Sequence, residues 1–269
     1  MTDRVKLFVG CSANGEDAES QAVLEYTVRK NSSLPVDIVW MKQTHDETSP
    51  LYGWSTYTWA TPFSGFRWAV PELCNFEGKA IYCDSDFIWL SDIAKLWNQK
   101  FEPGKVVMAK GGDNSWRYCS CLWDCSAAES YLLPISRMKA LKESHQRMMS
   151  FFSQNTNIVQ SFEGTWNCVD GEDLPIDKID ALHYSDMSSQ FHLKYAIPRL
   201  REQKLYHWFD GKTRPHWRED LQTLFDTLLI EAETAGYSVE SYLPSHNEFF
   251  GDYIKESQIN YSNAHKWSR

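Results

Sequence analysis

Apolar positions along this chain fall into short β-rich runs and one clear helical stripe. Residues 5–10, VKLFVG, end in Cys11-Ser12, which predicts a strand reaching a turn. Ala22, Val23, Tyr26 and Val28 then approximate a helical period that closes at Asn31-Ser32. Residues 35–41, PVDIVWM, predict a second strand, and a β-α-β opening of this kind predicts a parallel sheet with a crossover helix. Residues 44–66 are polar and aromatic without periodicity, which predicts a long functional loop.

Further on, an apolar strand over 80–83 runs straight into Asp84, and 91–99 predicts a short helix capped by Ser91. Residues 105–111 and 120–126 predict two more strands, and 135–152 has helical composition. A strand within 176–186 ends at His183. Leu221, Leu224, Phe225, Leu228, Leu229 and Ala232 recur at i, i+3, i+4 up to Gly236, which predicts a helix there. No repeat or Pro/Gly/Ser linker interrupts the chain. The expectation is one α/β domain over 1–269, with a mainly parallel sheet flanked by helices in a core of about 1–200 and a helical C-terminal extension of about 201–269.

Composition narrows the function. A net charge of −9 argues against nucleic acid as a partner, and an acidic chain binding a polyanion needs local positive charge or a metal. No apolar run approaches the roughly 18 residues of a membrane span, and MTDRVKLFVG does not read as a signal peptide, so a cytoplasmic location is expected. The 12 Trp are costly to place idly and should line a core or a stacking cleft. Seven Cys, an odd and scattered set, fit reduced buried thiols. The cluster CSCLWDC lacks the second half of a zinc motif, so small core residues describe it better.

The chemistry gathers at AIYCDSDFIWL, residues 80–90, where Asp84 and Asp86 interrupt an apolar run. Residues two apart on a strand share a face, so these carboxylates can converge on one cation at the strand's carboxyl end, where open α/β sheets bind ligands. Two hard oxygen donors suit Mn²⁺ or Mg²⁺, which would bridge the protein to a diphosphate. The stretch 197–218 carries Arg199, Arg201, Lys204, Lys212, Arg214 and Arg218 beside Trp208 and Trp217. A solvated helix face is the plainer expectation for it; the alternative is a peripheral contact with an anionic membrane surface or acceptor.

The block from Lys79 to Trp97 resembles glycosyltransferase family 8 and related GT-A enzymes, whose members show a K-x-I-Y-L-D-x-D-x-x-x-x-x-D-I-x-x-L-W pattern; Cys83 replaces the usual Leu. That resemblance implies a GT-A (Rossmann-like) fold. It implies transfer of a sugar from a nucleotide-diphosphate sugar, a UDP-sugar foremost, to a glycan, lipid-linked or polysaccharide hydroxyl, with retention. It also implies metal ligation by Asp84, Asp86 and, through ALHYSDMSSQ, His183. The donor would meet the turn at Gly10, Cys11 and Ser12, together with Arg67, Asp84 and Ser85. The family's late Lys-Pro-Trp is replaced by Gln190-Phe191-His192, leaving Lys194 or His192 to face the diphosphate. Asp124, Glu163 and Asn167 are the candidate catalytic groups near the sugar. Two other readings compete: a haloacid-dehalogenase-like phosphatase with Asp84 as nucleophile, and a non-catalytic nucleotide-sugar-binding protein.

Overall fold

A computed structural model describes residues 3–112, 115–209, 211–245 and Phe250. Its strands are β1 (Val5–Gly10), β2 (Val36–Met41), β3 (Lys79–Asp84), β4 (Phe87–Trp89), β5 (Val107–Gly112), β6 (Ser115–Asp124), β7 (Val159–Ser161), β8 (Cys168–Val169) and β9 (Ala181–His183). The six-stranded sheet runs in the order β2-β1-β3-β6-β5-β7. β1 pairs parallel with β2 and β3, and β5 pairs parallel with β7, so only β6 is reversed. The mixed, mainly parallel α/β sheet expected from the sequence is therefore what forms. A small second sheet has the order β4-β9-β8, and its β4 follows directly on the carboxyl end of β3.

Helices cover both faces. They are α1 (Ala18–Asn31), α2 (Val70–Leu73), α3 (Ile93–Trp97), α4 (Cys125–Ala128), α5 (Ile135–Ala140), α6 (Ser144–Gln154), α7 (Leu193–Glu202) and α8 (Glu219–Thr234). Leu221, Phe225, Leu228 and Leu229 of α8 share one apolar cluster with Ala18, Ala22 and Val23 of α1. The C-terminal helix is thus seated on the first crossover helix. Gly236 follows it at φ +93, the left-handed conformation that stops a helix there. The end of the expected C-terminal extension, 251–269, lies outside the described residues.

Two local expectations change. The cap of α3 is Asp92, not Ser91: its side chain accepts from the Ala94 amide at 2.9 Å. The expected helix over 135–152 is broken into α5 and α6, with extended backbone at Leu141. No Gly or Pro marks that break in the sequence, so pattern alone had no stop signal to read. Residues 44–65 form no helix or strand, as expected, yet they are tied down by aromatic packing. Trp54, Trp59 and Phe66 meet edge to face at 5.1–5.6 Å.

His145 on α6 belongs to this aromatic layer, and its Nδ1 accepts from Trp68 Nε1 at 3.0 Å. Burial, aided by the charge of Arg67, pushes its imidazolium down to about 3. An unfolded chain takes up this proton below about pH 6.5 while the folded chain refuses it, so stability is lost as pH falls. The loss from this group reaches about 2 kcal/mol at pH 5. Urea midpoints at pH 7, 6 and 5 should fall less in His145→Gln, which keeps an acceptor for Trp68, than in the native chain; equal slopes would refute the assignment.

Candidate active site

Register brings the site together. Gly10 of β1 faces Asp84 of β3, so both end at the carboxyl edge of the sheet. Past Ser85 and Asp86 the chain enters β4, where Phe87 pairs with His183 of β9. Their rings stack at 4.6 Å. A residue about a hundred positions downstream is thereby fixed beside Asp86 by an antiparallel pair.

Asp84 is 5 % exposed and held from two sides. Arg67 Nη2 donates to both of its oxygens at 3.0 Å, and Tyr82 Oη donates to Oδ1 at 2.7 Å. Burial raises its carboxyl above the usual range, although Arg67 opposes the shift. Gly10 is required here by close approach, because a Cβ at that position would stand 2.3 Å from Tyr82 Oη.

Asp86 differs. Its Oδ2 accepts from Gln190 Nε2 at 2.8 Å, while its Oδ1 is buried and accepts no hydrogen bond. His183 Nε2 stands 3.5 Å from that same Oδ1. On the other side of the ring, His183 Nδ1 meets Asn167 Oδ1 at 3.0 Å. The Asn167 amide is oriented by its Nδ2, which donates to Arg117 O at 3.5 Å. The acceptor Oδ1 thus places the imidazole proton on Nδ1 and leaves a lone pair on Nε2. Two acceptors, Nε2 and a carboxylate oxygen, then face one another in a buried position. A positive charge shared between them, a proton on the ring or a bound cation, would satisfy both.

A second cluster adjoins the first. Asp17 accepts from the Ser12 amide at 2.7 Å, from Ser85 Oγ at 3.1 Å and from Trp208 Nε1 at 3.1 Å. His192 and His207 lie beside it, with Nε2 atoms 3.3 Å apart. The Phe209 amide donates to His207 Nδ1 at 3.0 Å, which leaves the His207 proton on Nε2. That proton serves His192, so this pair is a hydrogen bond between neutral rings. Burial holds both imidazoles below their ordinary value. Asp170 accepts from Ser185 Oγ at 3.3 Å and from His216 Nε2 at 3.1 Å.

Of the residues singled out from sequence, Gly10, Ser12, Arg67, Asp84, Ser85, Asp86, Asn167 and His183 are brought into this one region. The Cys11 amide donates to Met41 O and the Ser12 amide to Asp17, so both are satisfied within the protein. Asn167 stands behind His183 and orients it. Three others are placed elsewhere. Asp124 pairs in register with Lys79, at the opposite end of β3 and about 16 Å from Asp84 by strand rise, where it caps α4 through the Ala127 amide. Glu163 is exposed and joins Gln99 and Trp166 through its backbone. Lys194 is exposed and ion-paired with Asp226 at 2.6 Å. Sequence reading missed Asp17, Tyr82, Gln190 and Cys119, whose Sγ lies within 4.8 Å of ligand atoms of Asp84 and His183. Alternation along β3 could have given Tyr82, which shares a face with Asp84; Gln190, 104 residues from Asp86, had no local signal.

The basic stretch 197–218 is partly neutralised within the chain. Arg199 pairs with Glu19, Arg214 with Asp186, and Arg218 with Asp220. Among the described residues no helix is long and apolar enough to cross a membrane.

No family model matches the chain. Among curated proteins, Protein CDI of Arabidopsis thaliana is 34% identical over 93 residues, which is 34% of this chain and 35% of that protein. The match thus spans about a third of that relative's length. Among solved structures, the bifunctional glycosyltransferase WbbM gives a TM-score of 0.50 at 12% identity, over 69% of this chain and 46% of that one. The glycosyltransferase GlyE of Streptococcus pneumoniae TIGR4 gives 0.53 at 14% identity, over 92% of this chain and 66% of that one. The galactosyltransferase LgtC, in complex with donor and acceptor sugar analogues, gives 0.53 at 9% identity, over 87% of this chain and 100% of that one. These likenesses establish the architecture: a GT-A glycosyltransferase fold.

Proposed function

We propose that this chain is a metal-dependent glycosyltransferase that uses a nucleotide-diphosphate sugar, a UDP-sugar foremost, and transfers the sugar to a hydroxyl acceptor such as a glycan. One observation carries the reading. At the carboxyl edge of a GT-A sheet, the free lone pairs of His183 Nε2 and Asp86 Oδ1 face each other at 3.5 Å, beside the buried Asp84. The residues fit a divalent cation held by Asp84, Asp86 and His183, such as Mn²⁺ or Mg²⁺. Bound there, the ion supplies Lewis-acid charge where a departing diphosphate becomes negative.

The chain's own groups prepare that position. Asn167 fixes the His183 tautomer, Gln190 fixes Asp86, and Arg67 with Tyr82 fixes Asp84. Holding ligands in place before the reaction avoids reorganisation when charge develops. The resemblance of the block from Lys79 to Trp97 to glycosyltransferase family 8 supports retention of configuration. The phosphatase reading loses ground because both Asp84 oxygens accept from a buried Arg67, which leaves a poor nucleophile.

Thermal-shift measurements with UDP-, GDP- and CMP-sugars test the proposal. One nucleotide should raise the melting temperature by roughly 5–10 °C at about a hundred times its Kd, and only with a divalent cation such as Mn²⁺ or Mg²⁺ present. No shift with any nucleotide plus metal would sink the proposal. A metal-dependent shift without sugar transfer would leave a binding protein.

A further inference from the structure

We infer that Cys119 is a further ligand of this cation site, which therefore takes a thiophilic divalent ion such as Co²⁺, Zn²⁺ or Cd²⁺ ahead of Mg²⁺. The inference rests on reading Asp84, Asp86 and His183 as the cation site. It goes beyond that reading by adding a sulfur donor and a metal preference.

Three observations carry it. First, Cys119 Sγ, an Asp84 carboxylate oxygen and a His183 ring nitrogen all lie within 4.8 Å of one another. Second, the register of the sheet places it there. Tyr82 and Cys83 of β3 pair with Cys121 and Ser120 of the antiparallel β6, so the next step of the ladder brings Cys119 opposite Asp84. On its other side Ala109 of β5 faces Cys121 but Lys110 faces Arg117, so Cys119 has no counterpart on β5. Cys119 is also only half-buried, whereas Cys121 and Cys125 are buried. Third, the buried Asp86 Oδ1, unpartnered and facing the His183 lone pair, points independently to a cation at this place.

Arg67 links the parts. Its Nη2 donates to Asp84, and its Nη1 lies 3.8 Å from Cys119 Sγ. One guanidinium therefore holds two prospective anionic ligands together and stays as counter-charge once the thiol ionises. Without a metal the thiol is neutral, because burial pushes it up to about 12. Binding exchanges an S–H bond for a metal–sulfur bond and releases one proton to solvent, with no change of oxidation state. Thiolate favours soft and borderline ions, while carboxylate alone suits Mg²⁺.

The test is titration of the metal-free protein with Co²⁺ alone, read by absorption. The native chain should show the visible bands of bound Co²⁺ together with an intense near-ultraviolet sulfur-to-cobalt charge-transfer band. Cys119→Ser should lose the charge-transfer band, keep the visible bands and bind Co²⁺ at least about 10-fold more weakly; Mg²⁺ affinity should change less than about 2-fold. Cys121→Ser should retain the charge-transfer band. X-ray absorption on the Zn²⁺-loaded native chain, which needs no variant, should find a sulfur neighbour at about 2.3 Å.

Visible bands abolished by Asp86→Asn but no charge transfer in the native chain would overturn the role of Cys119 and leave the Asp84-Asp86-His183 site intact. Charge transfer that survives in Cys119→Ser would overturn it as well. Absence of any Co²⁺ binding would overturn both the inference and the metal site.

Discussion

Asp86→Asn is expected to lower metal-dependent sugar transfer by about a thousandfold while leaving the protein as stable as before, or more so. The activity loss follows from removing one anionic ligand of an ion asked to supply several kcal/mol in the transition state. The gain in stability follows from the hydrogen-bond inventory. An asparagine can keep accepting from Gln190 through its carbonyl oxygen and turn its amide N–H toward His183 Nε2, now 3.5 Å from an unpartnered oxygen. A donor then meets an acceptor where two acceptors stood, worth about 1 kcal/mol, or some 2–4 °C in a chain of this size. Melting curves in metal-free buffer, paired with donor turnover, measure both. A clear drop in melting temperature would show that Asp86 is structural and that no cation is needed beside it.

The opposite behaviour is expected of its neighbour. Asp84→Asn or Arg67→Met should each destabilise the fold by about 3–5 kcal/mol, because each removes most of the compensation of a buried charge. Both side chains are at most 8 % exposed in this pair, so solvent cannot take over. The double variant should cost clearly less than the sum of the singles, since no unpaired charge remains. It should not be neutral, because Arg67 also donates to Ser64 O at 2.6 Å. Urea unfolding of the four proteins reads the coupling. Additive losses would mean that Arg67 and Asp84 act separately and that the pair does not hold the site together.

Much of this architecture was legible in the chain. Strands β1, β2 and β3 are apolar runs bounded by turn residues, and the apolar stripe of α8 repeats at helical spacing over its whole length. Such signals are local, because burial of one face fixes the period of the sequence that makes it. The site was legible only in part. Asp84 and Asp86 stand out because two charges in an apolar run demand an explanation. Asp124 misled for an equally local reason: an Asp at the end of a strand reads the same whether it faces the site or caps a helix. The direction of β6 decided, since an antiparallel strand carries its last residue to the far end of the sheet.

What the sequence determined by itself was the main strands of the sheet, its first and last helices, the class of fold and the presence of two carboxylates in an apolar run. The tertiary structure alone decided which groups answer them. Pairing of Phe87 with His183, the amide of Asn167 behind the ring, Gln190 on Asp86 and the antiparallel register that brings Cys119 opposite Asp84 all join residues far apart in the chain. The physical reason is one of range. Periodicity and capping act over a few residues, whereas hydrogen-bond direction and ligand geometry act across a few ångströms, and only folding makes those two distances coincide.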